Sequence, residues 1–288
     1  MACNIPPKFD DLGKEARDVL GKEYSYGFFK LDAKSYSKKG VDFSAALSSS
    51  NESGKVSGNL ETKYKNPKHG LTLSEKWTTD NVLSTNITVE DQLVKGLKLS
   101  FDTTFSPGSG KKAAKIKADY KRDYVHPTAE IDFDFAGPLV TASSVFGYSG
   151  WVCGVNGTFD TAKSNLTSNN IAIGYRSSDF ILHSSVADAS KFVGSVHHKI
   201  NNKLEAAALM NWSSGSESVN FQVGMKYIID PISSVKVKVN NSSHIGLSYS
   251  HKLSSAVKVG LSGLVDAKNL DQGGHRIGLS LDVEFEGK

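Results

Sequence analysis

Residues 71–79 read LTLSEKWTT, and their alternation decides the fold. Leu71, Leu73, Trp77 and Thr79 share one parity and Thr72, Ser74, Lys76 and Thr78 the other, which is the period of a β-strand with one apolar face. Glu75 stands in the middle of that apolar face. The pattern recurs along most of the chain after residue 25. Val56, Leu60 and Tyr64 oppose Ser57, Asn59, Glu61, Lys63 and Lys65; Leu97, Leu99, Phe101 and Phe105 oppose Lys98, Ser100, Asp102 and Thr104. Ile131, Phe133 and Phe135 oppose Asp132 and Asp134, and Val235, Val237 and Val239 oppose Lys236 and Lys238. The last run sets Ile277, Leu279, Leu281, Val283 and Phe285 against Arg276, Ser280, Asp282 and Glu284. Turn signals such as Asn66-Pro67, Pro107-Gly108, Gly137-Pro138 and Ser214-Gly215 separate the runs, which points to antiparallel hairpins.

Alternation alone leaves two readings open. A soluble sandwich or lipocalin-like barrel turns the apolar parity inward; a membrane barrel turns it toward lipid and lines a lumen with the polar one. Size discriminates between them. After about 25 N-terminal residues the chain holds roughly 18 to 20 strands of membrane-crossing length. A barrel of that girth with an apolar interior would enclose an unfilled void, so the outward-apolar reading is the physical one.

Residues 1–25 do not alternate. Phe9, Leu12, Ala16, Val19 and Leu20 fall on one helical face, with Lys14, Arg17, Asp18 and Lys22 elsewhere on the wheel and Pro6-Pro7 suited to a helix start. The expected division is therefore an amphipathic helix and linker over 1–25 and a barrel over 26–288. Asp10, Asp11, Glu15 and Asp18 argue against a cleaved presequence, which is poor in acids. A helix stored in the barrel, a membrane-surface helix and an ordinary surface helix remain alternatives.

The remaining features mostly exclude. The excess of 34 Lys and Arg over 30 acids is small and dispersed, so no nucleic-acid specificity is expected. Cys3 and Cys153 lack any paired spacing and read as free thiols, with neither a disulfide framework nor a metal site. No run of 18 apolar residues forms a membrane helix, which leaves a barrel open. PGSGKK at 107–112 lacks the first glycine, the Ser or Thr and the following helix of a phosphate loop, and reads as a hairpin turn. His197 and His198 point to opposite faces of a strand, and no catalytic constellation is recognisable. No enzyme is expected.

Several stretches carry a resemblance. PPKFDDLGKEARDVL at 6–20, LETKY at 60–64, EKW at 75–77, TVEDQLVKGLKLSFD at 88–102, GYSGW at 147–151 and YIIDPISSVKVKVNNSSHIGLSY at 227–249 are similar to the voltage-dependent anion channels, the mitochondrial outer-membrane porins, over essentially the whole chain. Val237 departs from the porin signature where a small residue is usual. Arg276, Gly278, Leu279, Leu281 and Val283 resemble the sorting signal of mitochondrial barrels. The resemblance implies an all-β, single transmembrane antiparallel β-barrel of about 19 strands, first and last parallel, with the N-terminal helix in the lumen. It implies a voltage-gated, weakly anion-selective channel passing metabolites, nucleotides and small ions across the mitochondrial outer membrane. No cofactor is required, ATP, ADP and NADH being permeants or weak ligands. A protein-translocation barrel and a soluble ligand-binding β-protein are the alternatives.

Specific residues follow from the same resemblance. Lys14 and Lys22 match nucleotide-interacting lysines, and Arg17, if the helix lies inside, adds a cation for phosphates. His244, Ile245, Gly246, Ser262, Gly263, Leu264, Val265 and Asp266 match a dinucleotide-contacting region. Glu75 matches a lipid-facing glutamate linked to gating and lipid contact; a local bulge turning it into the lumen is the alternative. Lys63, Lys98, Lys115, Lys117, Lys236 and Lys238 are expected to line the pore, where a low-dielectric wall focuses their charge. Membrane lipids, nucleotides and anionic metabolites are the expected partners, with homo-oligomers; hexokinase-type kinases and apoptosis regulators are implied by family only. The family's glycine-rich linker is replaced here by Glu23-Tyr24-Ser25-Tyr26-Gly27.

Overall fold

The computed structural model describes residues 5–37, 40–134, 137–215, 219–271 and 273–286. Cys3 and Phe135 lie outside these residues. The strands are β1 (Phe28–Tyr36), β2 (Val41–Ser50), β3 (Val56–Asn66), β4 (Leu71–Thr78), β5 (Leu83–Glu90), β6 (Leu97–Ser106) and β7 (Lys111–Tyr120). Then come β8 (Val125–Asp134), β9 (Gly137–Tyr148), β10 (Trp151–Asp160), β11 (Asn165–Arg176), β12 (Phe180–Ala187) and β13 (Lys191–Lys199). The sheet is completed by β14 (Leu204–Ser213), β15 (Asn220–Asp230), β16 (Ser233–Asn240), β17 (His244–Lys252), β18 (Val257–Asp266) and β19 (Arg276–Glu286).

Each strand pairs antiparallel with its successor, and β1 closes the ring by pairing parallel with β19, Phe29 opposite Leu279 and Lys34 opposite Glu284. Closure removes every sheet edge, the only way a sheet satisfies its backbone groups in hydrocarbon. The apolar parity faces outward: Leu60, Trp77, Phe101, Ile173 and Leu261 are all exposed. No described helix is long and apolar enough to cross a membrane.

Glu75 follows the parity of its strand. The register of β4 is unbroken against both neighbours, from Asn66↔Leu71 to Asn59↔Thr78 and from Leu71↔Val89 to Trp77↔Leu83. No bulge re-aims the carboxylate. It stands on the outer face with Thr62 and Thr85 directly opposite.

Inside the barrel, a 3₁₀ turn (Phe9–Asp11) leads into α1 (Lys14–Gly21). The helix therefore starts later than Pro6-Pro7 suggests. Gly13 adopts φ +69°, a left-handed conformation that ends the turn and lets the chain re-enter helix. A Cβ at this position would lie 2.7 Å from the His183 ring, so the same glycine also permits close approach to the wall.

Candidate functional site: the helix-lined lumen

The expected helical face is the one that docks. Ala16, Val19 and Leu20 are buried against Ala207 with Leu209 beside them, and Leu12 packs on Val145 and Ala172 with Phe9 and Val152. The wall beneath the helix departs from the polar lumen elsewhere. Val145, Val152, Ala172, Ala207 and Leu209 stand on the lumen parity yet are apolar, and Gly154 and Gly224 leave room for Phe9 and Leu20. The helix covers this strip and keeps it dry; burying each large side chain is worth about 1.5–3 kcal/mol.

Lysines hold the carboxyl end. Lys236 Nζ lies 3.4 Å from Asp18 O and 3.3 Å from Lys22 O, and Lys238 Nζ donates to Leu20 O at 2.7 Å. These cations meet carbonyls at the carboxyl end of the helix, where the dipole favours positive charge; Asp18 O also accepts from the Lys22 N–H. Lys238 also lies over the Tyr24 ring, 4.3 Å from its centroid, with Tyr26 at 5.5 Å. Arg176 of β11 pairs with Glu15 on the helix.

The linker is fastened as well. Glu23 pairs with Lys236 at 3.0 Å and with Lys258, its backbone carbonyl accepts from Ser248 Oγ at 2.7 Å, and the Ser25 N–H donates to Ser262 Oγ at 2.9 Å. Burial alone would raise the Glu23 carboxyl, but hydrogen bonds from Lys258 and Lys236 outweigh it and hold the group below its ordinary range.

This packing corrects several sequence expectations. Lys236 is only 5% exposed and, like Lys238, is engaged by the helix end instead of the aqueous bore. Lys115 lies 2.6 Å from Glu130 and 3.1 Å from Asp132, and Lys117 lies 3.0 Å from Asp102, so both face the lumen with their charge paired. Lys63 and Lys98 stand on the lumen parity with no carboxylate within 4.0 Å among the described residues.

On the helix, Lys14 pairs with Asp11 at 3.1 Å and Lys22 with Asp18 at 2.7 Å; both side chains remain exposed to the bore. The hydrogen bond that it donates to Asp11 raises the Lys14 ammonium above its usual range. Arg17 donates to Leu12 O at 2.7 Å and Asp10 O at 2.5 Å. It borders a cavity of about 740 Å³ together with His183, Ser185, Asn211, Gln222 and Lys238.

The expected dinucleotide region divides by parity. His244 and Asp266 face each other across β17 and β18 on the lumen side, as do Gly246 and Leu264. Ile245, Gly263 and Val265 stand on the outer parity and cannot present side chains to a solute in the bore. Gly246 lies under Tyr26 and Ser262 under Ser25. His126, Asp119 and Lys8, which join the N-terminal segment to β7 and β8, form a contact that no local motif signals.

A closed sheet with an apolar outer face, a charged lumen and a helix docked on its inner wall is a membrane-spanning β-barrel pore. The chain belongs to the eukaryotic porin family, whose model matches residues 5–278. It is 51% identical over 280 residues to the non-selective voltage-gated ion channel VDAC2 of Xenopus laevis, covering 97% of this chain and 99% of the relative. The corresponding VDAC2 proteins of Meleagris gallopavo and Homo sapiens are also 51% identical over 280 residues, covering 97% of this chain and 95% of each relative.

Proposed function

We infer that this chain is a voltage-gated channel of the mitochondrial outer membrane that lets metabolites and small ions diffuse through its lumen with a weak preference for anions. The observation that carries the reading is the closed nineteen-strand ring around a polar lumen with a charged helix on its wall. Such a pore binds and transforms nothing along its main path, and no cofactor enters its operation. The names of the relatives support voltage gating, and their description as non-selective agrees with a lumen in which Lys115, Lys117 and Lys236 are largely neutralised. The unpartnered Lys63 and Lys98 supply the anion bias.

Nucleotides such as ATP, ADP and NADH fit the same reading as permeants that interact weakly. Lys14 and Lys22 present exposed ammonium groups to the bore, and Arg17 borders the cavity under the helix, which supports transient phosphate contact. His244, Leu264 and Asp266 are the members of the dinucleotide region placed to meet a solute.

Glu75 is proposed as a lipid-contact and gating residue because it is a carboxylate on the outer face of an unbulged strand. Homo-oligomer formation belongs to the same proposal. Kinase and apoptosis-regulator partners rest on family alone.

Purified protein in a planar bilayer tests the channel. The expected result is a large conductance that falls at voltages of either sign, with a reversal potential slightly on the anion side in a salt gradient. A barrel with no voltage response and a preference for unfolded polypeptide would favour the translocation reading instead, and a protein that never inserts would favour a soluble binder.

A further inference from the structure

The amino-terminal end of the lumenal segment is tied to the opposite side of its wall from the linker. The His126 side chain of β8 is 3% exposed, and its two ring nitrogens meet two oxygens: Nδ1 lies 2.9 Å from the backbone carbonyl of Pro6, and Nε2 lies 2.7 Å from Asp119 Oδ1. The other carboxylate oxygen of Asp119 pairs with Lys8. Pro6 itself rests on Gly147 of β9, where an added Cβ would come 3.0 Å from its ring.

Donor counting decides what this arrangement needs. A backbone carbonyl only accepts, and a carboxylate paired with a lysine only accepts, so both bonds require ring N–H donors. Neutral imidazole has one N–H; imidazolium has two. A neutral ring leaves one buried nitrogen lone pair against an oxygen, which is repulsive and costly away from water.

We propose that Lys8, Asp119 and His126 form a proton-linked latch that holds residues 5–8 on the lumen wall when His126 is doubly protonated and loosens them when it is not. The latch positions the amino end of the helix; it is not a site of chemistry.

The surroundings allow one group to dominate. Lys98 of β6 stands directly opposite Asp119, and Lys121 follows just beyond the end of β7. On β9 the residues opposite His126 and Thr128 are Val145 and Ser143, which do not titrate. Along β8 the nearest lumen-side titratable group is Glu130, already paired with Lys115. Asp10 and Asp11 on the incoming segment turn to Arg17, through the Asp10 backbone, and to Lys14. His126 alone in this shell faces two acceptors with a ring that carries either one or two N–H donors.

The latch also differs in kind from the linker clamp. Glu23 with Lys236 and Lys258 contains no histidine, so the two ends are held by different groups.

A nitroxide attached to Cys introduced at the exposed Ile5, in the full chain with Cys3→Ser and Cys153→Ser and reconstituted in vesicles, tests the proposal. The expected spectrum is immobilised at pH 5.5 with a mobile fraction several-fold larger at pH 8. With His126→Gln the label is expected to be mobile at both values, with its pH response gone. Asp119→Asn is expected to mobilise it, and Asp119→Glu, which keeps a carboxylate to accept from both Lys8 and the His126 ring, to retain most of the immobile fraction at pH 5.5. A label equally immobile at both pH values, or a His126→Gln protein that keeps the parent's pH response while conducting, overturns the latch. Open-channel conductance in each sample confirms that the barrel has formed, so a misfolded variant is recognised and its place taken by the Asp119→Asn and Asp119→Glu pair.

Discussion

The Lys236 ammonium lies 3.0 Å from the Glu23 carboxylate across 213 residues of chain, inside a lumen that would otherwise hydrate both. The lysine is almost fully buried and its Nζ also faces the carbonyls of Asp18 and Lys22. One carboxylate therefore neutralises the cation that seats the helix end, and it reaches Lys258 as well. The linker is anchored through its side chains and its backbone.

Removing that charge is expected to loosen the linker. Glu23→Gln leaves Lys236 buried without an anion, a change expected to cost roughly 2 kcal/mol in docking of the linker. Hydrogen exchange of amides 14–27 reads it directly: faster exchange in the variant is expected, and unchanged protection would show that the ion pairs contribute nothing.

The same carboxylate sets an acid limit. Its folded-state value lies below the ordinary 4.5, so its contribution is fully present above that value and is lost as pH falls through the lower folded one. Thermal unfolding in detergent is expected to lose stability more steeply below about pH 4.5 in the parent than in Glu23→Gln. Parallel curves would refute the assignment.

Gly13 is the position at which the helix tolerates least change. Alanine there meets a left-handed conformation, costing about 1–2 kcal/mol, and its methyl group meets His183 and Ser195. Gly13→Ala is expected to release the first turn of α1, seen as proteolytic cleavage near residue 13 under conditions that leave the parent intact. Equal resistance would mean the wall yields to the methyl.

Selectivity is expected to depend on which lysines are paired. Lys63→Glu and Lys98→Glu shift the reversal potential toward cations by changing charge that, among the described residues, has no carboxylate within 4.0 Å, the acids opposite them, Asp42, Glu90 and Asp119, lying farther off. Lys115→Gln and Lys117→Gln act less per unit charge removed, because Glu130, Asp132 and Asp102 sit beside them and focus a compensating potential. Reversal potentials in a tenfold salt gradient rank the four, and a larger shift from Lys115 than from Lys98 would contradict the pairing.

Glu75 stands on the outer face of β4, among exposed apolar neighbours. Glu75→Leu is expected to stabilise the vesicle-embedded barrel by roughly 1 kcal/mol, since acids on the outer face cost less than the few kcal/mol of a central Lys or Arg. Denaturant unfolding from vesicles measures it. Glu75→Gln distinguishes the functional proposal: unaltered gating, oligomer content and lipid response would remove it.

Alternation along LTLSEKWTT and its relatives determined the strands, their inner and outer faces and, with chain length, a pore too wide to fill. It also identified the docking face of the N-terminal helix, because a period of 3.6 and a period of 2 are local properties of the chain. The wall under that helix left a fainter trace in the runs WVCGV at 151–155 and EAAALM at 205–210, where both parities are apolar or small. Only the tertiary structure decided which lumen charges stay free, which are cancelled and where the helix is fastened. Lys115 meets Glu130 through neighbouring-strand register, whereas Lys236 meets Glu23 and His126 meets Pro6 across 213 and 120 residues. Coulomb and hydrogen-bond energies depend on distances of a few ångströms, and those distances come from closure of the ring, which no local periodicity encodes.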